Sequence, residues 1–311
     1  MQVTPIDRRA HPEGARFSSW TAPDGWRLRV MDWPPPRDVP VRGSLLFLGG
    51  RGDFIEKYLE AMHHWHMRGW HITSFDWRGQ GASRKDGGPS PDAGFDPLLH
   101  DLAVFSQEWI AAHPGPHVAV GHSMGGHLLL RALAEASPPF AAAVLVAPMI
   151  GINTGLLPGW LSARLARFFQ KIGRGSFPVA RDYQAAIEGK AARQNRLTSS
   201  ADRYADEKWW HGRQPGYDLG IPTWDWVAAA YRSMAASTPG ALKAVRIPLL
   251  ILATDRDRLV DTRAIREAAR LLPNAELALF DSAHEILRED DPVRLAAMHR
   301  IDAFLDRHAA S

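Results

Sequence analysis

Residues 118–130 read VAVGHSMGGHLLL: a short β-branched run, then Gly121, His122, Ser123, Met124, Gly125 and Gly126, then a leucine-rich stretch of helical character. A serine with glycine two residues away on either side, placed where a strand hands over to a helix, is the layout of a nucleophile elbow. The turn is so sharp that the serine backbone is strained, and only glycine at the flanking positions lets strand and helix pass without a Cβ clash. The Ser123 hydroxyl is thereby expected to stand above the end of a sheet. A glycine-rich turn with a solvated serine is the competing reading, and the rest of the chain decides between them.

Towards the N-terminus, residues 27–33 and 44–48 are strand-like and are separated by the proline-rich stretch 34–40, which predicts a hairpin leading into the sheet. The second run ends in Gly49, Gly50, Arg51 and Gly52, after which Phe54, Tyr58, Met62 and Trp65 fall at helical spacing. A glycine-rich loop between strand and helix offers backbone N–H groups to an anion, either a dinucleotide pyrophosphate or the oxyanion of a tetrahedral intermediate. Gly50, Gly52 and the later Asp76 partly match a dinucleotide fingerprint, but Ile55 stands where the third small residue is required. The oxyanion reading is preferred. In the loop WRGQGAS, residues 77–83, Arg78 is expected to anchor the turn on carbonyls and carboxylates, and Leu98, Leu99, Leu102, Phe105 and Trp109 trace a helix before the elbow strand.

Beyond the elbow, residues 141–147, 248–253 and 275–280 are further apolar strands, and a last helix runs through Leu295, Met298, Ile301 and Leu305. Six or more strands alternating with helices predict an α/β fold, a mostly parallel sheet covered on both faces. Between 148 and 245 the alternation stops, far beyond the length of an ordinary connection. The expected organisation is a core in two parts, 1–147 and 246–311, interrupted by a helical cap at 148–245. The insertion opens with Trp160, Leu161, Leu165, Phe168, Phe169 and Ile172 on one helical face and Arg164, Arg167, Lys171 and Arg174 on the other, and it holds Trp209, Trp210, Trp224 and Trp226. An acyl-binding cap, with Trp160, Leu161 and Trp224 as contact residues, stands against a reading in which the tryptophans are the insertion's own small core. The basic face is either ordinary solvated surface or a membrane contact.

With 311 residues, 45% of them hydrophobic, the chain can bury one large core, and without cysteine it has neither a disulfide framework nor a thiolate nucleophile or metal site. A formal net charge of +3 without blocks of like charge argues against a nucleic-acid partner. No apolar stretch reaches membrane-spanning length, so a cytoplasmic protein is expected, with peripheral contact at the inner face of the membrane as the lipid-handling variant. Oligomeric state is open.

Ser123 needs a base within hydrogen-bond reach and a carboxylate to hold that base, in the chain order serine, acid, histidine. Just past the strand 248–253 come Asp255, Asp257 and Asp261; Asp257 sits deepest in the turn and is preferred over Asp255. His284 follows the last strand and falls at the same sheet edge as Ser123. His63, His64 and His66 lack a third ligand at metal spacing, and His122 is expected to be turned away by the elbow. A histidine base implies an acid limb of activity near the ordinary imidazole value of about 6.5.

Together GGRGDFIEKY (49–58), FDWRGQGAS (75–83), GHSMGG (121–126), NRLTSSADRY (195–204), IPTWDWV (221–227), DRDRLVD (255–261) and SAHEILRED (282–290) make the chain resemble the α/β-hydrolases. Within them it resembles the bacterial lysophospholipases and monoacylglycerol lipases. The resemblance implies Ser123 as nucleophile, Asp257 as acid, His284 as base, and the N–H groups of Arg51 and Met124 as oxyanion hole. It also implies a serine hydrolase that cleaves carboxylic esters of monoacyl lipids through an acyl-enzyme, with no metal or organic cofactor. A small-ester esterase or aminopeptidase on the same triad, and a non-catalytic binding protein, are the alternatives. Where family members usually carry His-Gly before the oxyanion residue, this chain has Gly49 and Gly50, so a side chain that braces that loop is missing.

Overall fold

The computed structural model describes residues 5–84, 94–155, 157–179 and 190–309. The remaining stretches, which the sequence reading assigns to the core and the insertion, lie outside the described residues. Among the described residues the chain forms one sheet of eight strands: β1 (Arg16–Thr21), β2 (Arg27–Trp33), β3 (Gly43–Leu48), β4 (Trp70–Phe75), β5 (His117–His122), β6 (Ala142–Val146), β7 (Leu249–Ala253) and β8 (Ala275–Leu279). Their order is β1-β2-β4-β3-β5-β6-β7-β8. The pairs from β4 to β8 are parallel, whereas β1–β2 and β2–β4 are antiparallel. Every residue of β3, β6 and β7 is buried, as expected for strands covered on both faces.

The hairpin expected between residues 27–33 and 44–48 does not form. β2 pairs instead with β1, in register Phe17 to Met31, and β4 lies between β2 and β3. The segment that becomes β1 escapes a sequence reading because it is an edge strand, with only Phe17 and Trp20 partly buried among exposed Arg16, Ser18, Ser19 and Thr21. The elements read from apolar patterning appear where expected: α1 (Leu59–His66), α2 (Asp96–Ala112), α3 (Met124–Glu135) and the C-terminal Asp291–His308 helix, which buries Met298, Ile301 and Leu305 but leaves Leu295 exposed. Leu128, Leu129 and Leu130 of α3 are fully buried, each stabilising the fold by about 1.5–3 kcal/mol.

The chain leaves β3 towards β4 on one side and returns to β5 on the other. The carboxyl ends of β3 and β5 therefore flank a switch point, where an open α/β sheet leaves a crevice for ligands. Between β6 and β7 lie α4 (Gly159–Lys171), α5 (Lys190–Leu197), α6 (Ala201–Arg213), α7 (Trp224–Ala236) and α8 (Pro239–Ala244). This segment sits over that edge: the Leu197 carbonyl accepts from the Glu285 N–H at 2.7 Å, and Arg51 donates to the Gly220 carbonyl at 2.9 Å.

Candidate active site

Ser123 follows β5 directly and caps α3 with φ 52° and ψ −114°, a conformation that L-residues adopt only when the surrounding structure holds them there. What holds it is the near contact of strand and helix. A Cβ on Gly121 would lie 2.8 Å from the Gly125 carbonyl oxygen, and one on Gly125 would lie 2.4 Å from the carbonyl oxygens of Leu48 and Gly49. The Ser123 N–H donates to the Val146 carbonyl at 2.9 Å, which ties the elbow to β6. The side chain keeps partial exposure while its neighbours on both sides are buried.

After β7, Asp257 turns inward and is 6% exposed. Its Oδ1 accepts from the N–H groups of Leu259 (2.8 Å) and Val260 (2.9 Å), leaving Oδ2 for His284 Nδ1 at 2.7 Å. Burial pushes the Asp257 carboxyl up, but the His284 charge and hydrogen bond, with the two backbone donors, outweigh it and hold the group below the usual carboxylate range. Burial pulls His284 down, and the charge and hydrogen bond of Asp257 overcome that, so the imidazole stands above its ordinary value. Because Nδ1 faces a carboxylate, which only accepts, the neutral ring carries its proton there and presents Nε2 as a base. Asp255 is placed otherwise: it is exposed and pairs with Arg266 at 2.7 Å.

Opposite Ser123, the loop after β3 is held at several points. Gly50 N–H donates to Asp53 Oδ2 at 2.5 Å, Trp77 Nε1 donates to the Gly49 carbonyl at 2.7 Å, and Gly52 N–H donates to Gln80. A Cβ at Gly50 would come within 2.9 Å of Asp53 Oδ2 and 3.0 Å of Ser123 Cβ. The glycine pair that lacks the family's bracing side chain is thus packed by Asp53 and Trp77. Arg51 stacks its guanidinium over Trp226 at 5.1 Å, and Met124 opens α3 with its side chain buried.

His122 is not turned away from the site. Its ring centre lies 5.0 Å from that of His284, and its Nδ1 lies 2.9 Å from Asp53 Oδ2 and 2.8 Å from the Tyr58 hydroxyl. Sequence reading gives no site role to Asp53, Lys57, Tyr58, Glu207 or Glu285, which are joined to His122 directly or through Lys57. The signal available was the run of ionisable residues within GGRGDFIEKY and beside His284, but only the fold brings them together.

The dinucleotide alternative fails on Asp76, whose buried carboxylate accepts from the N–H groups of Ile55 (2.9 Å) and Ala82 (2.8 Å) and is not presented to a ribose. Arg78 grips Asp101 and Asp24, with Nε 2.8 Å from Asp101 Oδ2, so its anchors are carboxylates. Asp32, His71 and His113 gather three groups that could hold a metal ion, with His71 Nε2 2.7 Å and His113 Nε2 3.1 Å from Asp32 Oδ1. His71 is near the start of β4, so this cluster lies at the sheet edge opposite Ser123. A cavity of about 290 Å³ behind Asp257, lined by Asn195, Asp255, Arg256, Arg258 and Ser282 among others, is too polar for an acyl chain.

The inserted helices depart from expectation in one respect. α4 packs on α7 through Ser162, Ala163 and Ala166, while Trp160 (62% exposed), Leu161, Leu165, Phe168 and Ile172 face outward, flanked by exposed Arg164, Arg167, Lys171 and Arg174. The apolar stripe and the basic stripe are therefore neighbours on the outer surface. Trp224 stacks on Phe169 at 4.4 Å, and Trp210 packs with Phe54 and Tyr217, so these two serve internal packing.

The fold matches solved α/β-hydrolase structures over nearly its whole length. A soluble variant of monoglyceride lipase from Saccharomyces cerevisiae superposes with a TM-score of 0.75 at 18% identity, covering 98% of this chain and 99% of that one. A carboxyl esterase from Bacillus coagulans gives 0.75 at 17% identity, covering 96% and 99%. In sequence, the chain is 28% identical to lysophospholipase L2 of Escherichia coli, covering 94% of this chain and 92% of the relative. It is 26% identical to a monoacylglycerol lipase of Mycolicibacterium smegmatis, covering 80% and 81%. Residues 39–291 match the family described as "Serine aminopeptidase, S33", and the chain belongs to that family of α/β-hydrolases.

Proposed function

We propose that the protein hydrolyses carboxylic esters of monoacyl lipids, lysophospholipids or monoacylglycerols, with Ser123 as nucleophile, His284 as general base and acid, and Asp257 orienting His284. The observation that carries this is the closed His284–Asp257 pair, 2.7 Å apart, at the sheet edge where the strained Ser123 stands. Ser123 Oγ bonds to the ester carbonyl carbon as its proton passes to His284 Nε2, and the oxyanion is received by the N–H groups of Arg51 and Met124. The C–O bond to the alcohol then breaks as His284 returns the proton to the leaving oxygen. Water, deprotonated by the same nitrogen, attacks the acyl-Ser123 carbonyl; the bond from that carbon to Ser123 Oγ breaks as His284 returns the proton to Oγ, and the fatty acid leaves. The relatives named lysophospholipase and monoacylglycerol lipase support the substrate class.

In this reading residues 148–245 act as a cap. The outward apolar face of α4 with its basic flank is the composition of a helix that lies in a membrane interface, which supports a protein that meets its substrate at a membrane surface. Among the described residues no helix is long and apolar enough to cross a membrane.

The experiment is a series of monoacylglycerols of rising acyl length, presented in solution and in anionic vesicles. Burying each methylene is worth roughly 0.8 kcal/mol, so four more carbons that are buried on binding are expected to raise kcat/KM by ~100-fold. A maximum at acetyl or butyryl esters overturns the lipid reading in favour of a small-ester esterase, and faster cleavage of aminoacyl anilides overturns it in favour of an aminopeptidase. Trp160→Glu with Phe168→Glu is expected to remove hydrolysis in vesicles while soluble short esters are still cleaved.

The pH profile tests the base. The neutral imidazole is the active form, so kcat/KM is lost as pH falls through the His284 pKa. Because Asp257 holds that pKa above its ordinary value, the acid limb is expected above about 6.5, higher than the sequence alone suggests. Activity that stays flat down to pH ~5 excludes a histidine base.

A further inference from the structure

Under the oxyanion loop lies a cluster of charged side chains almost wholly removed from water. The Lys57 ammonium donates to Asp53 Oδ1 at 2.7 Å and forms ion pairs with Glu285 Oε1 at 2.6 Å and Glu207 Oε2 at 3.2 Å. All four side chains are at most 4% exposed. Each carboxylate belongs to a different part of the site. Asp53 holds the Gly50 N–H and faces His122, Glu285 adjoins His284, and Glu207 comes from α6 of the inserted helices. Arg288 closes the cluster by pairing with Glu285 and, at 3.0 Å, with Glu207, and Arg193 reaches Glu207 at 3.0 Å. Asp53, Glu207 and Glu285 are thus balanced by Lys57, Arg193 and Arg288.

We infer that Lys57, Asp53 and Glu207 are positioning residues that make the seating of the cap and the shape of the oxyanion loop a single event. The inference rests on the reading in which the Arg51 N–H receives the oxyanion. Asp53 fixes the Gly50 N–H, one residue before that donor, and is itself held by Lys57 at Oδ1 and faced by His122 at Oδ2. Of the three carboxylates around Lys57, Glu207 is the one that α6 supplies, and its charge enters the balance of a cluster that water does not screen. Losing the Glu207 charge while the cap stays seated therefore leaves Lys57, Arg193 and Arg288 facing only Asp53 and Glu285, an excess of buried positive charge beside Asp53, and the loop relaxes. An oxyanion donor must stand within a few tenths of an ångström of its place, so a small relaxation reduces turnover without weakening the binding of the acyl chain.

The test compares two ligands on the full chain. An alkyl trifluoromethyl ketone forms a hemiketal oxyanion on the serine and needs the loop; an alkyl ether of the same length presents the same chain and needs no oxyanion donor. Glu207→Gln and Asp53→Asn are expected to weaken the ketone 10- to 100-fold and lower kcat in parallel, with ether affinity and KM within about 2-fold. Lys57→Met combined with Glu207→Gln removes one charge of each sign, and is expected to bind the ketone more tightly than Lys57→Met alone. Should a single variant not fold, that balanced pair carries the comparison. The inference is overturned if ketone and ether weaken together, as they would for a merely structural role, or if folded variants bind the ketone as the wild type does. Failure of the wild-type protein to bind the ketone more tightly than the ether would instead overturn the hydrolase reading itself, so the two failures are distinguishable.

Discussion

Replacing Ser123 by alanine is expected to lower ester turnover by ~10⁴-fold or more and to abolish labelling by a fluorophosphonate, which bonds to an activated serine oxygen. The fold should survive. Alanine has the same steric limits at φ 52° as serine, and the elbow is imposed by Gly121 and Gly125, by the Ser123 N–H bond to Val146 and by the burial of Leu128, Leu129 and Leu130, none of which involves the hydroxyl. Thermal unfolding of the variant should therefore match the wild type within a few degrees. A well-folded Ser123→Ala protein with near-native esterase activity removes Ser123 as nucleophile.

Asp257→Asn should cost ~10³- to 10⁴-fold in kcat, while Asp255→Asn should stay within about 2-fold. The difference comes from placement. Asp257 Oδ1 is filled by two backbone N–H groups, so its other oxygen is aimed at His284 Nδ1, and an amide there can donate to Nδ1 and favour the wrong tautomer. Asp255 lies three-fifths exposed against Arg266, a surface pair whose loss leaves the imidazole untouched. Equal losses in the two variants, measured on the same ester, would transfer the orienting role away from Asp257.

Much of this candidate site is legible in the sequence alone. The elbow is a local signal, because the steric demand for glycine at 121 and 125 is met within five residues. Asp257 and His284 follow strands whose apolar runs are unmistakable, and in a parallel sheet the residues after the strands gather at one edge. The upward shift expected of the acid limb has no sequence signature, because the coupling of His284 to a buried carboxylate is a distance and no spacing in the chain encodes it. The hairpin failed for a related reason: strand 27–33 has no feature that selects its partner, and the partner it finds is a largely exposed segment without an apolar run.

What the sequence determined by itself is what depends on neighbours along the chain: strand and helix periods, the glycine-framed serine, the order serine, carboxylate, histidine, and the hundred-residue break that becomes the inserted helices. Tertiary structure alone decided what depends on neighbours across it. It turned the apolar stripe of α4 outward, because small Ser162, Ala163 and Ala166 give the closer fit against α7 and leave the bulky residues the other side. It also brought Lys57 of the loop after β3 together with Glu207 of the insertion and Glu285 beside His284, residues 150 and 228 positions away in sequence. Such a cluster leaves no periodic trace, since its members are selected by charge balance in a dry interior rather than by which face of an element they occupy.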